Sequence, residues 1–138
     1  MPTEELVWCD IIILMLNLNS FLIFSENPKK LAEFYNKVFD KKPDWEDHGY
    51  TGWDFGGFNM VVGPHDKVKG KNSTPERFMF NLETTDVKGE FERIKETGAE
   101  VITEPYQMGE KVDEYEGWIA TFADPDGNYF QLMTPMKP

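Results

Sequence analysis

The side chains that could do chemistry in this chain are few, and their types narrow the possibilities. There are two histidines, His48 and His65, and a single cysteine, Cys9. With no third imidazole a His-rich metal site is excluded, and one cysteine can form neither an intrachain disulfide nor a thiolate zinc cluster. His48 sits in a polar loop between Asp47 and Gly49, and His65 in the turn Gly63-Pro64-His65-Asp66. Both read as solvated loop residues rather than ligands. Cys9 has no histidine near it in sequence, and neither a Gly-x-Ser-x-Gly elbow nor a phosphate-binding glycine loop occurs, so no nucleophile constellation is present.

Carboxylates offer more. Glu83 closes the apolar run Met79-Phe80-Asn81-Leu82-Glu83. Enclosed beside Asn81, its pKa would rise by desolvation and it would be a candidate general base; at a wet strand end it would simply point to water. The motif Asp124-Pro125-Asp126-Gly127-Asn128 has calcium-like oxygens but lacks the remaining spacing of an EF-hand loop. It reads instead as a tight turn, initiated by Asp and Pro, with Gly supplying a positive φ. Between Glu104 and Glu116 five acidic residues alternate with Tyr106 and Tyr115, just ahead of Trp118. That segment is either a solvated loop over a cavity mouth or a mobile lid whose aromatics close on a ligand.

An internal repeat determines which elements must position these residues. Phe21-Leu22-Ile23-Phe24-Ser25-Glu26-Asn27 aligns with Phe80-Asn81-Leu82-Glu83-Thr84-Thr85-Asp86 at an offset of 59. Each is a short apolar strand ending in an Asn or Asp suited to cap a helix. In the first copy Pro28 opens the helix, and Leu31, Phe34, Tyr35 and Val38 form one apolar face. In the second, Val87, Phe91 and Ile94 form the face and Gly98 supplies the left-handed stop. Further on, Gly56–Pro64 aligns with Gly127–Pro135 at an offset of 71. Each copy therefore reads strand, helix, then two or three strands.

These boundaries predict an extension over residues 1–16, a first module over 17–64, a polar linker over 65–77 and a second module over 78–138. Strand alternation puts Phe21, Ile23, Phe80 and Leu82 toward the helices. It assigns Ser20, Leu22, Phe24, Met79, Asn81 and Glu83 to the opposite face. Phe58, Met60 and Val62 are expected to join that face, with Tyr129, Gln131 and Met133. Two such half-sheets can curl together around a pocket. Trp45, Trp53, Phe55 and Trp118, with the seven methionines, would line it or fill the core.

Composition agrees with a globular domain: 138 residues, 40% hydrophobic and 14% aromatic, enough for a real core. A net charge of −11 argues against nucleic-acid binding, which needs a clustered basic surface. The apolar run Ile11–Leu16 is far shorter than the roughly twenty residues that span a bilayer. Glu4, Glu5 and Asp10 precede it where a signal peptide would carry basic residues. A cytoplasmic compartment is the default expectation, and the leader reads as an appended strand or as an extension ahead of a start at Met15.

Three stretches together carry a resemblance. Asp124-Pro125-Asp126-Gly127-Asn128-Tyr129-Phe130-Gln131-Leu132 resembles the last hairpin of the glyoxalase / bleomycin-resistance / extradiol-dioxygenase superfamily, the vicinal oxygen chelate proteins. Ala32-Glu33-Phe34-Tyr35 resembles its first helix. Thr85-Asp86-Val87 followed by Thr97-Gly98-Ala99-Glu100-Val101 resembles its second module. The likeness runs from about residue 17 to 135. It implies an α+β fold of two βαβββ modules, forming an incomplete barrel around a cavity with helices on the outer face, within a homodimer.

Enzymes of that superfamily hold a divalent metal with His and Glu from the first and last strands of each module. Alignment places Ser20, Met60, Met79 and Gln131 at those positions, and a slip of one residue either way brings in no His, Asp or Glu. A thioether prefers soft ions, and one amide oxygen does not hold a catalytic metal. No metal or other cofactor is therefore expected. The chain reads as a metal-independent binder of a small apolar or aromatic molecule, as sequestering resistance proteins of this superfamily are. Phe24, Met60, Met79 and Met133 would supply contact area beside Ser20, while Asn81, Tyr129 and Gln131 would orient the ligand. The alternatives are a metal-dependent lyase or isomerase, or a dimer acting through its surface.

Overall fold

A computed structural model describes residues 16–109 and 116–136. The expected leader strand, Cys9 and residues 110–115 of the acidic stretch lie outside the described residues. The order of elements is β1 (Ser20–Ser25), α1 (Pro28–Phe39), β2 (Trp45–Asp47), β3 (Tyr50–Asp54) and β4 (Asn59–Pro64). A 3-10 turn at Pro75–Arg77 leads to β5 (Met79–Glu83), α2 (Val87–Glu96), β6 (Glu100–Gln107), β7 (Trp118–Ala123) and β8 (Tyr129–Met133). Two four-stranded mixed sheets result, ordered β1-β4-β3-β2 and β5-β8-β7-β6, with the first strand of each module parallel to its last. They are not closed into a barrel. The α+β pair of βαβββ modules is thus the observed architecture.

Both helices follow from local sequence. Pro28 opens α1, Leu31, Ala32, Tyr35 and Val38 are buried along one stripe, and Asp40 in left-handed conformation ends it. Asn27 makes no side-chain cap; instead Ser25 Oγ accepts the Asn27 N–H at 3.0 Å. In α2 the expected cap does form, with Asp86 Oδ1 accepting the Gly89 N–H at 3.0 Å. Gly98, at φ 95°, follows the helix as anticipated. No helix among the described residues is long and apolar enough to cross a membrane.

The helix-side faces of the two sheets share one core. It joins Ile23, Leu31, Tyr35, Trp53 and Val62 of the first module to Phe91, Ile94, Phe122, Phe130 and Leu132 of the second. Aromatic rings make the join: Phe21 meets Phe80 at 5.5 Å, and Tyr35 meets both Phe80 at 5.9 Å and Phe130 at 5.8 Å. Arg93 of α2 adds a polar tie. Its guanidinium donates to the carbonyls of Lys37 (2.9 Å) and Val38 (2.7 Å), satisfying orphan acceptors at the C-terminal end of α1.

One face assignment needs correcting. Phe21 is the register partner of Met60, and Ile23 of Val62, so Met60 and Val62 face the helices and are buried. Asn59, Val61 and Gly63 occupy the opposite face instead. The cause is a difference of one residue between the hairpins. Phe55 N–H bonds to Phe58 O at 2.8 Å across Gly56-Gly57, whereas Asp124 and Asn128 are bridged across the longer Pro125-Asp126-Gly127. The true offset of the last strands is therefore 70, pairing Met60 with Phe130 and Val61 with Gln131. A slip of one residue exchanges every side chain between faces. The segment Glu104–Gln107, expected as loop, is the second half of β6 paired to β7.

Candidate functional site

Two grooves flank the junction of β1 and β5. The larger has a volume of about 620 Å³ and reaches the C-terminal end of α1 and the inner side of α2. Phe21, Phe39, Phe55, Phe58, Met60 and Met79 give it an apolar wall, and Asn81, Glu83, Thr84, Glu90 and Arg93 a polar rim. The second, about 430 Å³, contains Phe24 and Tyr129 beside Phe78 and Asn128. The expected site residues are therefore divided. Met60, Met79, Asn81 and Glu83 share the large groove and Phe24 and Tyr129 the small one, while Ser20, Gln131 and Met133 line neither.

Each placement has a local cause. Met79, Asn81 and Glu83 alternate along β5 on the face away from the helices and are exposed. Glu83, the candidate base, is the last residue of its strand and open to solvent. Gln131 is held by its neighbour, its Nε2 donating to Thr121 Oγ1 at 3.1 Å. On the matching face of the first sheet, Trp45 lies across Gly52 and Tyr50 across Gly63, where any Cβ would collide with the ring. Trp53 is fully buried and donates from Nε1 to Asn36 Oδ1 at 3.0 Å, so it belongs to the core rather than to a ligand wall.

The charged groups of the large groove are mostly spent. Arg93 pairs with Glu90 at 2.7 Å besides capping α1. Lys41, over the Phe55 ring at 5.5 Å, is paired to Asp44 at 2.9 Å. A backbone hydrogen bond from Asp54, reinforced by Lys41, holds the Asp44 carboxyl below its ordinary value. Glu83 has no hydrogen-bond or ion-pair partner among the described residues. His48 is an exposed turn residue at φ 49°, and His65 packs edge-on against Phe24.

The most perturbed titratable pair lies elsewhere. Tyr35 donates its hydroxyl to Asp124 Oδ2 at 2.6 Å, linking α1 to the β7–β8 turn. Asp124 Oδ1 also accepts the N–H groups of Asp126 and Asn128, both at 2.9 Å. Burial raises the Asp124 pKa against these opposing hydrogen bonds, and burial first, then the Asp124 charge, pushes the Tyr35 phenol well up. The DPDGN motif is thus a turn whose first carboxylate is directed inward to its own loop and to Tyr35. Its Gly127 N–H bonds to Asp124 O at 2.9 Å, as the turn reading requires. Being buried and fully engaged, the pair is structural.

Residues 20–133 match the glyoxalase-like domain family. The chain belongs to that family. Among solved structures, the glyoxalase/bleomycin resistance protein/dioxygenase family enzyme from Burkholderia phytofirmans PsJN superposes with a TM-score of 0.68 at 19% identity, over 88% of this chain and 100% of that one. A glyoxalase-related enzyme from Fulvimarina pelagi gives 0.69 at 16% identity, over 88% and 89%. A glyoxalase/bleomycin resistance protein/dioxygenase from Nocardioides gives 0.70 at 13% identity, over 98% and 94%. At these identities the likeness speaks to the glyoxalase-like fold alone. No curated protein matches the sequence.

The family's metal can be tested against the residues present. With the corrected register its positions hold Ser20, Val61, Met79 and Gln131: a hydroxyl, an aliphatic, a thioether and an amide already bonded to Thr121. That donor set does not fit a hard divalent ion, which wants carboxylate or imidazole. No group of three or more His, Cys, Asp or Glu among the described residues is arranged to hold a metal either. Phe55, one of the aromatics expected to line a pocket or fill the core, does line the large groove, whereas Phe39, Glu90 and Arg93 beside it were not found by sequence reasoning. Together they come from three separate segments and share no motif.

Proposed function

We propose that this glyoxalase-like protein binds a small apolar or aromatic organic molecule, without a metal, in the groove between its modules. The observation that carries the reading is that groove: about 620 Å³, walled by five phenylalanines and two methionines. Its volume lies within the roughly 300–1,000 Å³ of ligand pockets, which are mostly apolar with a few orienting polar groups. Asn81 and Thr84 would orient the ligand, and the methionines would adapt to its shape. The donor set at the family's metal positions supports a reading without metal chemistry.

A thermal-shift screen of aromatic and aliphatic metabolites tests this. A fitting ligand at about 100 times its Kd stabilises by about 2.7 kcal/mol, a readable shift for a domain of this size. Phe55→Ala, at the open edge of the groove, is expected to weaken that ligand about fivefold through lost ring contact. Absence of any stabilising compound would defeat the proposal. So would a stoichiometric divalent ion, found by metal analysis of protein purified without chelator and held by groove side chains; it would restore the lyase or isomerase alternative.

We also propose a homodimer, because Phe78 (75% exposed), Leu22 (47%) and Met79 (40%) leave apolar surface around the same junction. Sedimentation at micromolar concentration is expected to give twice the 16.0 kDa chain mass. A monomer mass at all concentrations would exclude it.

A further inference from the structure

The polar rim of the large groove carries an imbalance of charge that selects among apolar ligands. Arg93 is the cation of the rim, and its donors are committed to Glu90 and to the Lys37 and Val38 carbonyls. Lys41, beside the Phe55 wall, is committed to Asp44 and to the Asp54 carbonyl. Glu90 is neutralised by Arg93. Of the charged groups lining the groove, only Glu83 has no hydrogen-bond or ion-pair partner among the described residues. It projects from the same face of β5 as Asn81 and Met79, so one ligand can touch an aromatic wall and a free carboxylate together.

We infer that the ligand is a hydrophobic amine: an aromatic or aliphatic body against Phe21, Phe39 and Phe55, with a protonated nitrogen donating to Glu83 and Asn81. This rests on the groove being the ligand site. A carboxylate or phosphate head would face Glu83 with no free cation among the described groove residues to compensate, whereas an ammonium gains a charge-assisted hydrogen bond. Aromatic faces add to the preference, since a cation near a ring is attracted by its quadrupole. In this reading Glu83 is a binding group and performs no proton transfer.

Three probes with one body separate the possibilities: 2-naphthylmethylamine, 2-naphthalenemethanol and 2-naphthoate, titrated calorimetrically into the full chain at pH 7. The amine is expected to bind about fivefold tighter than the alcohol and the carboxylate more weakly than either, a scale set by one partly exposed charge pair. Glu83→Gln is expected to remove the preference for the amine. Glu100→Gln, which deletes the same charge at the exposed start of β6, is expected to keep it, separating local recognition from the general field of a −11 chain. If the alcohol matches the amine, or the preference survives Glu83→Gln, the amine inference falls while the groove stands. If none of the three binds, both fall.

Discussion

Asp124→Ala is expected to lower stability by roughly 2–4 kcal/mol, because one small carboxylate satisfies several buried donors at once. Its oxygens accept the Tyr35 hydroxyl at 2.6 Å and the N–H groups of Asp126 and Asn128 at 2.9 Å, and the Asn128 side chain adds a bond at 3.0 Å. Alanine leaves the fully buried Tyr35 hydroxyl without this acceptor and loosens the turn before β8. Tyr35→Phe removes a single donor and should cost less, about 1–2 kcal/mol. Urea midpoints at constant m-value check both. A loss under 0.5 kcal/mol for Asp124→Ala would mean that water replaces the carboxylate and that the turn is not held from within.

The same group sets a pH dependence of definite sign. Burial raises the folded-state pKa of Asp124 above its unfolded value, so the folded protein holds that proton more tightly. The contribution is therefore full below the ordinary carboxylate value of about 4 and is lost as pH rises through the folded pKa. Compared with Asp124→Asn, which cannot ionise, the native protein should become relatively less stable across that window. A difference rising with pH instead would show that the hydrogen bonds outweigh burial.

Why some of this could be read from residues and some could not is a matter of distance along the chain. The repeat, the helix stripes, the faces of β1, β5 and β8 and the DPDGN turn all rest on contacts within a few residues, where periodicity and turn chemistry act. The face of Met60 depended on whether a hairpin loop has two residues or three, and Gly56-Gly57 looks like either. Asp124 was legible as a turn initiator but not as the partner of Tyr35, 89 positions away. The groove was less legible still. Phe39 ends a helix, Phe55 opens a hairpin and Arg93 reads as an ordinary solvated helix residue until it is seen capping α1. Glu83 illustrates both sides: its chemistry and strand are plain in the sequence, yet only the packing shows that Arg93 and Lys41, the cations described at the groove, are already engaged.

Phe130→Ala carries the largest expected effect, about 3–5 kcal/mol, the usual range for deleting a buried aromatic ring. The ring is fully buried in β8 of the second module but stacks within 5.7 Å of Phe80 and 5.6 Å of Phe122, and meets Phe34 and Tyr35 of the first module at 6.1 and 5.8 Å. Truncation therefore removes contacts inside one half and between halves together. Because the two modules share this core, unfolding should remain a single transition with unchanged m-value in the variant, shifted to lower denaturant. Two separated transitions would mean that each half holds itself together and that the ring only decorates their contact. The distinction bears on binding, since the groove takes Phe21, Phe39 and Met60 from one module and Met79, Asn81 and Glu83 from the other. If the halves part before they unfold, the wall and the carboxylate part with them, and ligand should suppress that opening; if they unfold as one, ligand should raise the single midpoint and leave its cooperativity intact.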